Sequence, residues 1–270
     1  MANFLSRTTS GVQANALAVL IYGGEKHGKT QLVSSVPNIL MQPLEEGRGL
    51  LTTEALPQPK DFDEALAQVI EVATEEHEFK ALGVDSISIL EEMARNKVAT
   101  ENGKESIGDL AHGKGYVVTE SLMAKYIAAL QACRRKGMNV FVIAHAKIEF
   151  YQDPILGEYQ RMEPAVHKRI KDMWTRWADI IGFLEIEKMA IDKGEDANRA
   201  VRTSMVTGSR FLNLQENGSF IAGNRFGLPS QIEIPSENGW AVVREKLLSN
   251  FKKAKEGTTK PKTKTKKEAA

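Results

Sequence analysis

The sequence predicts an open α/β fold, a mostly parallel central sheet flanked by helices, and three observations predict it. Apolar runs short enough to be buried strands recur at Ala16–Tyr22, Ile39–Leu44, Lys80–Asp85 and Asn139–Ala144. Segments of helical periodicity separate them, as parallel strands require crossover connections. The first run leads directly into Gly23-Gly24-Glu25-Lys26-His27-Gly28-Lys29-Thr30, a complete G-x-x-x-x-G-K-T loop between a strand and a helix. In such a loop glycines let successive backbone N–H groups point at a phosphate, the lysine reaches the β- and γ-phosphates, and the threonine hydroxyl can ligate Mg²⁺. Residues 23–31, ending at Gln31, are therefore expected to cradle a nucleotide.

Composition sets bounds. The chain has 270 residues, 42% of them hydrophobic, enough for one large α/β domain. No apolar run approaches the length of a bilayer span, and the first residues lack the apolar stretch of a signal peptide, so a cytoplasmic protein is expected. Cys133 is the only cysteine, which rules out an intrachain disulfide and a thiolate zinc site. Its neighbours Arg134 and Arg135 suggest a partly exposed helical thiol. The net charge of +1 conceals an asymmetry: residues 251–270 hold eight lysines against two glutamates, a net of +6, and the rest of the chain is acidic. The expected organisation is a lead segment over 1–15, a nucleotide-binding domain over 16–250, and a disordered Lys-rich tail over 251–270. Such a tail either attracts phosphate backbones without reading sequence or merely solubilises the chain.

The elements follow in order. Gln31–Ser35 continues the helix after the loop, and Val36-Pro37-Asn38 stops it. Ile39–Leu44 is a buried strand ending at Glu45-Glu46. Asp61–Glu75 places Phe62, Ala65, Leu66, Val69, Ile70 and Val72 at helical spacing. Lys80–Ser86 is a strand that ends in one acid, Asp85, where ligands bind in open α/β sheets. Asp85 either holds Mg²⁺ through water or caps the helix Ile87–Ala99. Residues 100–115 form a polar, Gly-rich loop, and Tyr116–Lys136 a long amphipathic helix. The strand Asn139–His145 ends in a histidine that either senses the γ-phosphate or is a polar strand end bonded to the backbone. Residues 146–166 form two extended arms about a turn at Pro154 and Gly157. Ile170–Asp179 is helical, with Trp174 and Trp177 in the core. Strands follow at Ile180–Glu187, Arg199–Thr207 and Phe220–Ala222, and a helix at Gly239–Phe251.

The pattern resembles a family. Val84-Asp85-Ser86 looks like the Walker B element of phosphate-loop ATPases. With the loop, a glutamate ending the next strand and a strand closing in a polar residue, residues 16 to about 235 resemble the RecA-type ATPase core. More narrowly they resemble short phage RecA-like nucleotide-binding proteins that include single-strand annealing proteins, through Val142-Ile143-Ala144-His145 and Asn224-Arg225-Phe226-Gly227-Leu228-Pro229. The resemblance implies an ATPase that takes ATP and Mg²⁺. It makes Glu45 the water-activating glutamate, Lys29 and Thr30 the phosphate and metal contacts, Asp85 the Mg²⁺-associated acid and His145 the γ-phosphate sensor. It puts residues 100–115 and 146–165 where the family has its two DNA-facing loops, which makes Lys104, Lys114, Lys147, Tyr151, Tyr159 and Arg161 contacts to single-stranded DNA. The tyrosines alternatively form only a cross-strand pair. Arg225 and Arg210 are candidates for a cation acting on a neighbouring subunit in a homo-oligomer, and a single-strand-binding protein is a further implied partner. The sequence departs from the family at Pro43, which stands where an acid often precedes the strand-end glutamate, at Glu46, a competing carboxylate, and at the bulky Lys26 and His27. A nucleotide kinase would need an Arg-rich lid, which no segment offers. A nucleotide-gated accessory protein with slow hydrolysis is the other class compatible with the residues.

Overall fold

The computed structural model describes residues 15–46, 52–155, 157–192 and 202–258. At its centre lies β1 (Ala18–Gly23), all six residues of which are buried. β1 pairs in parallel with β4 (Asn139–Asp153) on one side and with β6 (Ile180–Asp192) on the other. Outward from β4 come β3 (Ala81–Asp85) and β2 (Ile39–Pro43), both parallel. The far side is antiparallel: β7 (Arg202–Asn213) pairs with β6, and β9 (Gln231–Ile234) with β7. The order β2-β3-β4-β1-β6-β7-β9 leaves β4 between the loop strand and the Asp85 strand.

Because β1 is covered on both faces, its side chains alternate between two cores and it reads as an unbroken apolar run. Leu20 and Tyr22 face one core, with α2 (Phe62–Thr74), α3 (Ile87–Glu101), α4 (Lys114–Arg135) and α5 (Lys168–Trp177). Val19 and Ile21 face the other, with α1 (Lys29–Ser34) and α6 (Gly239–Thr258). Helix α2 starts where Asp61 accepts from the Glu64 N–H at 2.9 Å, and it buries Phe62, Ala65, Val69 and Val72. At Gly83 the sheet presses on α1: a β-carbon there would overlap the Met41 sulfur and approach Val33.

Several elements differ from expectation. Strand β4 does not stop at His145. It runs on to Asp153 and turns back as β5 (Gly157–Pro164), so the expected two arms are one long hairpin with Gly157 at φ 82°. β7 reaches Asn213, well past Thr207, and the short β9 carries only two inward residues, Ile232 and Ile234. Phe220 makes a single bridge to Met162, and the strand expected there is reduced to β8 (Gly223–Asn224). Helix α6 continues through Lys252, Lys253 and Lys255 to Thr258, because lysine, alanine and glutamate sustain a helix. Residues 259–270 of the expected tail, and residues 1–14 of the lead segment, lie outside the described residues. Cys133 is fully buried, with its Sγ 3.8 Å from the Val69 carbonyl. It shares an inward face with Met123, Tyr126 and Leu130, whereas Arg134 turns aside to Asp179 at 2.6 Å. Trp174 is fully buried, as expected. Among the described residues no helix is long and apolar enough to cross a membrane.

Candidate functional site

The carboxyl ends of the parallel strands meet at one edge of the sheet, and the glycine loop lies across it. Gly23 must be glycine because a β-carbon would collide with the Leu184 carbonyl of β6. Gly28 adopts φ 84° and starts α1. The Lys29 side chain is buried and folds back onto the loop, with Nζ donating to Gly23 O (3.1 Å) and Gly24 O (2.8 Å). Burial lowers its pKa, and Asp85, Glu45 and Glu25 oppose the shift. His27 covers Gly24 and places Nδ1 3.3 Å from Leu184 O, so its bulk turns away from the phosphate side.

Thr30 Oγ1 donates to Asp85 Oδ2 at 2.5 Å, joining two residues 55 apart in sequence. The Asp85 carboxylate thus faces the loop, and Ser86, not Asp85, holds the cap position of α3. Burial raises the Asp85 pKa against the pull of the Thr30 hydroxyl. Glu45 and His145 pair across the same edge, with Glu45 Oε1 3.2 Å from His145 Nε2. The hydrogen bond lowers the Glu45 pKa and raises that of His145. The His145 backbone N–H also donates to Ser88 Oγ at 3.2 Å.

Glu25, Lys26, Gly28, Lys29, Thr30, Gln31, Glu45, Glu46, Asp85 and His145 line one cleft of about 710 Å³, within the range of small-molecule sites. Gly24 and His27 line the adjoining cleft instead. The donor set fits a nucleotide with Mg²⁺. A hydroxyl and a carboxylate are hard oxygen ligands, Lys29 rests on carbonyls that an incoming phosphate can displace, and among the described residues His145 Nδ1 is buried without a partner. Among the described residues no group of three or more His, Cys, Asp or Glu could hold a metal ion.

Other expected residues lie elsewhere. Tyr151 and Tyr159 sit directly opposite in the hairpin with ring centroids 5.5 Å apart, so the cross-strand alternative describes them. Arg161 stacks on Tyr151 and pairs with Glu163 at 2.5 Å, and Lys147 pairs with Glu149. Lys104 and Lys114 are exposed, flanking two short 3₁₀ turns. Arg225 lies at the opposite, amino-terminal edge, 3.1 Å from Asp179. Arg210 was expected to serve a neighbouring subunit, yet it stands beside Gly28 of its own loop, with Nη1 2.8 Å from Gln31 Oε1. The sequence gives no local signal for this, because β7 returns to the loop from 180 residues downstream. Ser34 and Met41 also line the cleft and carry no motif that could have marked them.

Comparison with known proteins places these features. The model of a family described as AAA domain matches residues 15–226. No curated protein matches significantly. Among solved structures, the RadB recombinase aligns over 84% of this chain and 90% of its own, at 16% identity and a TM-score of 0.46.

Proposed function

We propose that the chain, which belongs to the AAA domain family, binds ATP with Mg²⁺ in the Lys29–Asp85 cleft and hydrolyses it in the course of single-stranded DNA work. The observation that carries the nucleotide part is the 2.5 Å contact from Thr30 to Asp85, which brings a metal-ligating hydroxyl and a strand-end acid together beside the loop lysine. Lys29 would leave the Gly23 and Gly24 carbonyls for the β- and γ-phosphates, and Thr30 and Asp85 would hold Mg²⁺, directly and through water. The ion, when bound, supplies charge neutralisation at the terminal phosphoryl group. Glu45, kept ionised by His145, would orient a water and accept its proton. His145 would exchange Glu45 for the γ-phosphate, which releases the carboxylate only when ATP is present.

The DNA part rests on continuity. His145 belongs to the same strand as the hairpin arm, and the hairpin exposes Ile148 and Phe150 at 59% and 68%. Lys104 and Lys114 would add backbone contacts. In this reading the protein works as an oligomer in the cytoplasm and assists annealing or recombination in phage DNA metabolism, with a single-strand-binding protein as a further partner. The Glu45–His145 pair favours a second reading, a nucleotide-gated accessory protein, in which His145 keeps the carboxylate engaged and hydrolysis is slow or absent. The decisive variant is Glu45→Gln. It should abolish phosphate release while fluorescent-ATP binding persists, and Glu46→Gln should keep hydrolysis; the reverse result assigns the base to Glu46.

A further inference from the structure

Among the described residues, Arg210 is a guanidinium with no acid paired to it. Strand β7 sets it opposite Ile186 of β6 and Ile234 of β9, half-buried beside the phosphate loop. Nη1 donates to Gln31 Oε1 at 2.8 Å and Nη2 to Pro235 O at 2.6 Å, both neutral acceptors. Among the described residues no carboxylate lies within ion-pair distance of it, unlike Arg161 and Arg134, which are both paired. Gln31 is fixed in turn by its Nε2, which donates to Ser236 O at 2.6 Å. The guanidinium covers the open side of Gly28 so closely that a β-carbon there would collide with Nη1. Gly28 itself is held to glycine by its φ of 84°.

Position beside the loop defines what such a cation can meet. In a loop of this kind the lysine reaches the β- and γ-phosphates and the threonine the metal, while the glycine backbone cradles the α- and β-phosphates. Arg210 stands beside Gly28 and Gln31. An arginine has five N–H donors in a rigid fork, and two neutral contacts leave most of that capacity and the whole charge unused. We propose that Arg210 is a nucleotide-positioning residue that binds, within the same chain, the α-phosphate of the nucleotide in its own loop. This deepens the ATP-binding reading and rests on it. It also replaces the expected role in a neighbouring subunit.

The test uses the full-length protein and measures the affinity of fluorescent ATP and ADP, with thermal melting in the absence of nucleotide as a control for folding. Arg210→Ala should weaken both nucleotides by the same factor, about ten- to a hundredfold, because the α-phosphate is common to both. Arg210→Gln retains a donor for the Pro235 carbonyl but no charge; it should melt like the wild type and lose the same affinity. Mixing Arg210→Ala with Lys29→Ala should leave hydrolysis unrecovered. Unchanged affinity in both Arg210 variants would overturn the assignment. So would a loss confined to ATP, or recovery of hydrolysis on mixing, since either marks a cation aimed at the γ-phosphate or across subunits. Failure of the wild type to bind either nucleotide refutes the ATP reading itself, and is thereby distinguished from failure of the Arg210 inference.

Discussion

Glu45 and His145 each hold the other's charge, and the pH dependence of the site follows from the two directions of shift. His145 is raised above its ordinary 6.5, so its contribution to stability is complete below that pH and fades as pH rises through its folded value. Glu45 is lowered below its ordinary 4.5, so its contribution is complete above that pH and is lost as pH falls through its folded value. The pair therefore stabilises the nucleotide-free protein most between about pH 4.5 and 6.5. Glu45→Gln should remove the decline in melting temperature that this pair causes as pH rises above 6.5; an identical slope in wild type and variant would show that the pair is not formed. At this scale the sequence is legible where chemistry has a fixed spacing. Lys29 and Thr30 are named by the loop, Asp85 by its place at the end of a strand and Glu45 by its place just past one, whereas His145, expected at a strand end, lies within β4. It is illegible where a contact depends on a distant strand, as for Arg210, or on which way a helix turns, as for Cys133.

Elements that are buried on both faces announce themselves, and those that are half-exposed or brief do not. β1 to β4 up to His145 are apolar runs, whereas the continuation of β4 alternates Lys147, Glu149 and Tyr151 with Ile148 and Phe150 and reads equally as a loop. The four residues of β9 are too few to show a period. Tyr22 joins the two kinds of element. Its hydroxyl lies 2.7 Å from Ile221 O and 3.1 Å from Met162 O, and it accepts from the Ile221 N–H at 2.9 Å. One atom of the loop strand thus ties down the base of the hairpin and the segment before β8. Tyr22→Phe should cost about 1–3 kcal/mol, because it strands buried backbone groups. Equilibrium denaturation that finds the variant as stable as the wild type would refute this role.

On the whole-molecule scale, the sequence sets a basic terminus against an acidic remainder. Lys252, Lys253 and Lys255 extend α6, and five more lysines follow before residue 268. If this arm meets nucleic acid, deleting residues 252–270 should weaken single-strand affinity and flatten its dependence on salt, because fewer counterions are released. An unchanged salt slope would leave the arm a solubilising tail. The central claim, that the cleft between the glycine loop and the strand ends is an ATPase site coupled to DNA, is tested most directly by phosphate release from ATP. The assay compares the wild type with Lys29→Ala, each with and without Mg²⁺ and single-stranded DNA. The account predicts Mg²⁺-dependent release that rises with DNA and vanishes in Lys29→Ala. Release that ignores Mg²⁺ or survives the substitution would contradict the site, and Mg²⁺-dependent release indifferent to DNA would contradict the coupling.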